Sequence, residues 1–113
     1  MTLPRSSGRL KTLPKAPFAI RRVIGDSMLP TLKSGQLILV LQWRVKPRVG
    51  QIIMFEHNGL EKIKRISDIR PDEIFVLGDN LASSSDSRQF GWVRYEDSTG
   101  IVVAKNTTKW YSR

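Results

Sequence analysis

The chain contains no cysteine, which removes disulfides, thiolate metal ligands and cysteine nucleophiles together and makes redox chemistry a poor fit. Histidine is nearly absent as well: His57 stands alone, so a zinc site or a histidine-based triad lacks its usual nitrogen donors. The turn residues that follow His57 mark it as an ordinary loop residue. Neither a metal nor a cofactor is expected. Long apolar runs are also missing. The longest, Leu37 to Leu41, is far short of the about 20 residues that cross a bilayer as a helix, and no apolar core of a secretory signal peptide follows the N-terminal charges. These absences favour a cytoplasmic location, with peripheral membrane contact as the alternative.

Acidic residues are missing from one end. Residues 1–22 hold six Lys or Arg (Arg5, Arg9, Lys11, Lys15, Arg21, Arg22) and no Asp or Glu. The net charge of +9 over 113 residues is therefore mostly an N-terminal excess, leaving 13 minus 10, or +3, for the rest. Pro4, Pro14, Pro17, Ser6, Ser7 and Gly8 break up the same segment, which predicts a flexible basic arm over 1–18 ahead of a single domain over 19–113. Such an arm solubilises, and it can also touch an anionic membrane through residues 1–22. With the excess confined to the arm, the charge does not point to nucleic acid.

What the chain does have is a series of short apolar runs separated by turn residues, the pattern of strands and not of long helices. Strands are predicted over 19–24, 36–43, 51–56, 60–67, 73–77 and 100–105, with at most a helical turn over 30–33, where Pro30 suits a first helical position. Asn58-Gly59 lies between two apolar runs and predicts a tight hairpin over 51–67. Alternation along its second arm puts Lys62 and Lys64 on one face with Leu60 and Ile66. The stretch from Asp79 to Gly91, crowded with serine, reads as a polar loop able to carry function.

Three segments supply the parts of a nucleophilic site. Gly25-Asp26-Ser27-Met28-Leu29-Pro30-Thr31 offers a hydroxyl, which needs a base to take its proton during attack on a carbonyl. Without histidine the base is a lysine, and a lysine serves only if desolvation lowers its pKa from about 10.4. Lys64, between apolar neighbours, has a setting that could do this. Taken singly, Ser27 also fits a turn and Lys64 a solvated surface.

Together, the Gly25–Thr31 segment, Lys64-Arg65-Ile66 and the loop Gly78-Asp79-Asn80 through Ser84, Asp86, Arg88 and Gly91 resemble the type I signal peptidase family of Ser/Lys peptidases, the loop being the most specific part. The LexA-type self-cleaving domains are similar in the first two segments. The resemblance implies a mainly β, compact signal peptidase/LexA-like domain of antiparallel hairpins, partly barrel-like. It also implies a serine endopeptidase that removes N-terminal leader or signal peptides from precursor polypeptides. By position it makes Ser27 the nucleophile, Lys64 the general base and Ser84 the hydroxyl that orients it, with Asp86 and Arg88 as a supporting pair and Val23, Met28, Leu32 and Ile63 as an apolar substrate wall. Asp79 and Asn80 read as structural turn residues. Where some members carry a hydroxyl for the oxyanion, this chain has Gly25. Lacking the usual membrane helix, the chain is similar to the nickel superoxide dismutase maturation proteases, so an intracellular maturation protease for a metalloenzyme precursor is the second reading. A catalytically inactive, protease-like binding module with a basic arm is the third. A self-cleaving regulator would need a target such as Ala104, and nothing around that residue supports one.

Overall fold

The computed structural model describes residues 17–43 and 46–106; the expected basic arm lies almost wholly outside them. The described chain is mainly β. Its strands are β1 (Phe18–Arg22), β2 (Leu37–Leu41), β3 (Ile52–His57), β4 (Leu60–Ile69), β5 (Glu73–Leu77), β6 (Val93–Arg94) and β7 (Ser98–Lys105), with one short α-helix, α1 (Ser87–Phe90), and single 3-10 turns over Leu81–Ser83 and Tyr95–Asp97. They form one antiparallel sheet in the order β1-β2-β7-β3-β4-β5-β6. The sheet is not closed, but it curls enough for Arg21 on β1 to pair with Glu61 on β4 at 2.9 Å, although the two strands are not neighbours.

The predicted hairpin forms as β3–β4, with His57 opposite Leu60 and both turn residues at positive φ, Asn58 at 52° and Gly59 at 79°. That is the demand of a two-residue turn matching strand twist, which asparagine and glycine meet at low cost. Alternation then feeds two cores. Met54 packs with Val23, Met28, Leu32, Ile38 and Val40 on one face, while Ile53 and Phe55 pack with Ile66, Ile74, Val76 and Val93 on the other. The segment between β1 and β2 covers the first face, and the segment after β5 covers the second.

Several expectations are corrected. β4 runs past Ser67 to Ile69, through a register shift between Ile66 and Asp68 that lets a polar stretch stay in the ladder. β7 begins at Ser98, not Gly100. Residues 30–33 form a turn, not a helix, and the Leu29–Pro30 bond is cis. His57 is no loop residue: it ends β3 and stacks on Phe90, ring centroids 4.1 Å apart. Leu60 shares the alternation of Lys64 and Ile66 but is 62% exposed, because it sits at the hairpin end beyond the core.

Candidate active site

The covering segments converge beside β4. Ser27, Val23, Met28, Ile63 and Lys64 line a cleft of about 580 Å³, bounded also by Arg21, Arg22, Glu61 and Ser85. Val23, Met28 and Ile63 thus stand where an apolar wall was expected. Leu32 does not: it is 1% exposed and belongs to the core behind that wall.

Lys64 is 6% exposed. Burial pushes its pKa below the ordinary lysine value, helped by the positive charges of Lys62 and Arg88 and opposed by the nearby charge of Asp86. Its Nζ donates to Ser84 Oγ at 3.2 Å, and Ser84 Oγ donates to Asp86 Oδ2 at 2.7 Å. A hydroxyl has one proton, and Ser84 spends it on the carboxylate. Ser84 therefore faces Lys64 as an acceptor only, which fixes the position of Nζ without competing for its lone pair.

Asp86 holds the chain of contacts in place. It is fully buried, which alone would favour the neutral acid. Hydrogen bonds from Arg88, the Gly78 N–H, Ser84 and the Arg88 N–H overcome that cost and hold its pKa well below the carboxylate range. Arg88 Nε lies 2.9 Å from Asp86 Oδ1, so the acid and arginine expected to brace the site do pair. Asp86 also caps α1, and Gln89 Oε1 in turn accepts from the Asp86 N–H at 2.8 Å. Because the folded pKa lies below the unfolded one, this contribution to stability is present above about pH 4 and is lost as pH falls through the folded value. Urea midpoints of the wild type and Asp86→Asn should differ at neutral pH and converge on acidification; a constant gap would show that the Asp86 charge is not the source.

The Ser27 side is strapped from the Gly-Asp-Asn segment, by contacts that single-residue reading missed. The Asn80 N–H donates to the Ser27 carbonyl at 2.8 Å, and Asn80 Nδ2 donates to the Asp26 carbonyl at 3.1 Å. Asp79 accepts two bonds of 2.8 Å from Arg65 and a third from Thr31, and the Arg65 bonds hold its pKa below the usual value. Arg65 immediately follows Lys64, so strand alternation sends it to the opposite face. The only signal for this role was its position within the Lys-Arg-Ile segment.

Among the described residues, Ser27 Oγ makes no hydrogen bond, and the Ser27 N–H has no carbonyl partner. Ser27 lines the cleft with both groups unspent. No group of three or more His, Cys, Asp or Glu residues able to hold a metal ion occurs among the described residues, and no described helix is long and apolar enough to cross a membrane.

A buried lysine with lowered pKa, held by a serine–aspartate–arginine relay and sharing a cleft with an unpartnered serine, can carry acyl-transfer chemistry. No curated protein matches the chain. The Peptidase S24-like family model matches residues 6–90, most of its length. The chain therefore belongs to the Peptidase S24-like family, the LexA- and signal-peptidase-like group of Ser/Lys serine peptidases.

Proposed function

We propose that this protein is a Ser/Lys endopeptidase that removes N-terminal leader peptides from precursor proteins. Ser27 attacks the scissile carbonyl, and neutral Lys64 takes the Oγ proton and returns it to the leaving amine. Water, activated by the same lysine, then hydrolyses the acyl-enzyme. The Ser27 N–H donates to the oxyanion, and Gly25 supplies no side-chain donor beside it. The observation that carries this reading is the burial of Lys64 at the cleft wall with Ser84, Asp86 and Arg88 aligned behind it.

Leader removal is favoured over self-cleavage by two features. β1 is an edge strand, and β4 pairs with β5 only from Arg65 onward, so Glu61 to Lys64 have a free edge facing the cleft. An extended substrate can add there as a strand, its small side chains beside the cut resting on Val23, Met28 and Ile63. Ala104, by contrast, is paired with Leu39 inside the sheet.

The test is cleavage of synthetic leader peptides bearing small residues at the cut. Wild type should cleave, and Ser27→Ala should fall to background with an unchanged unfolding midpoint, since its hydroxyl has no partner to lose. Equal cleavage by both proteins would sink the mechanism. Binding of peptide without turnover by the wild type would favour the inactive module.

A further inference from the structure

The cleft wall changes character two residues from its apolar part. Four antiparallel steps separate β1 from β4 in the sheet, so the two strands run the same way. The ladder with β2 continues just past β1, where the Val23 N–H donates to the Gln36 carbonyl at 2.8 Å. Alternation therefore puts Arg21 on the face of Val23 and Glu61 on the face of Ile63, each two positions earlier in its strand. Arg21 and Glu61 join across the gap as a forked pair, Nε to Oε1 at 2.9 Å and Nη2 to Oε2 at 3.3 Å. With side chains 37% and 39% exposed, the pair is a polar, water-accessible continuation of the wall. Two other cleft cations are engaged elsewhere: Arg22 donates to the Gly35 carbonyl at 2.9 Å, and Lys62 Nζ lies 5.2 Å from the Phe90 ring centroid.

An extended peptide repeats its side-chain direction every second residue, about 7 Å apart. A small side chain resting on Val23, Met28 and Ile63 therefore places the residue two positions away over Arg21 and Glu61. An apolar side chain there would cover the pair's exposed polar atoms and return no hydrogen bond. A carboxylate would draw Arg21 away from Glu61, and an ammonium would draw Glu61 away from Arg21, each leaving one charge unpaired. A side-chain amide offers an acceptor to Arg21 and donors to Glu61 at once. We propose that the Arg21–Glu61 pair is a specificity-determining subsite, which selects Gln or Asn at the second position from the small residue of the bound leader. The inference rests on the peptidase reading, because that reading puts an extended peptide in the cleft.

Fluorescence anisotropy of labelled peptides on Ser27→Ala, beside cleavage of the same peptides by the wild type, tests it. One peptide series carries Gln, Leu, Lys or Glu two positions before the small residue, and a second carries them two positions after it. In one series only, Gln should exceed Leu by about fivefold or more in affinity and in kcat/KM, since a site built to hydrogen-bond a side chain rejects one that cannot respond. In that series Arg21→Gln should turn the preference to Lys and Glu61→Gln should turn it to Glu, each by about threefold or more. The exchanged pair Arg21→Glu/Glu61→Arg keeps an ion pair across the gap and should return the preference to Gln, which a general loss of fold would not do. Equal affinity for all four residues in both series, or a preference that neither single variant moves, overturns the subsite; cleavage by the wild type would then leave the peptidase reading standing. The expected preferences in binding, with no cleavage by the wild type, would overturn the peptidase reading and leave the subsite. Absence of any peptide binding overturns both.

Discussion

Exchanging Lys64 for methionine is expected to reduce cleavage about 10³- to 10⁴-fold while making the protein more stable at neutral pH. The loss follows if Lys64 supplies the only base within reach of Ser27, because an unassisted hydroxyl attacks too slowly to compensate. The gain follows from burial. Lys64 is 6% exposed, and its folded pKa lies below the unfolded value of 10.5. Between those two values the unfolded chain binds more protons than the folded one, so wild-type stability rises with pH across that window, and the cost of the buried charge is fully present below it. Methionine fills similar space without a charge. It removes a donor to Ser84, but Ser84 keeps its own bond to Asp86, so no buried donor is orphaned. The expected gain is about 0.5–2 kcal/mol at pH 7, the range in which relieving a functional site's strain usually falls, and it should shrink toward zero as pH approaches the unfolded value. Urea unfolding at several pH values measures the first effect and peptide cleavage the second. A less stable variant at pH 7 would mean that the Ser84 contact outweighs desolvation. Wild-type cleavage should rise with pH through the lowered lysine pKa, since only the neutral amine serves as base.

The sheet and the hairpin were legible in the sequence because they depend on local rules. Alternation gave six strand positions, and Asn58-Gly59 fixed the turn that aligns Lys64 opposite Ile53. β6 and α1 were not legible, because two residues of strand and four of helix carry no periodicity to detect. The same holds for Leu32, whose apolar character fits a core and a pocket wall equally well. In the site, Ser84, Asp86 and Arg88 could be named from a motif, but the direction of each hydrogen bond could not. That Ser84 gives its proton to Asp86, and so must accept from Lys64, follows only from distances. The Arg65–Asp79 pair and the Asn80 contacts to Ser27 and Asp26 were hidden for another reason. They join residues far apart in sequence, on segments whose meeting depends on how the curled sheet brings its two covers together.

That meeting point has no room for a side chain. A Cβ at Gly78 would lie 2.2 Å from Ser84 Oγ, 2.6 Å from Ser84 Cβ and 2.7 Å from the Ser27 carbonyl oxygen. The backbone there lies outside the positive-φ region, so the demand for glycine is one of space and not of conformation. Gly78→Ala must push Ser84 away from β5, push the Ser27 turn away, or do both. The first displaces the acceptor that holds Lys64 and strains the bond from the Gly78 N–H to Asp86, 2.9 Å in the wild type; the second moves the nucleophile. We expect a loss of about 1–3 kcal/mol from overpacking, and a fall in cleavage of about 100-fold or more, because about 1 Å of misplacement at reacting groups costs that much. Pairing it with Ser84→Gly separates the two routes, since that change removes two of the three clashes. If displacement of Ser84 dominates, the double variant recovers stability relative to Gly78→Ala without recovering cleavage, a coupling that a double-mutant cycle reads directly. If the Ser27 carbonyl is the tighter limit, the double variant stays as unstable as the single one. Full activity in Gly78→Ala would show that neither Ser84 nor Ser27 needs the position it holds here.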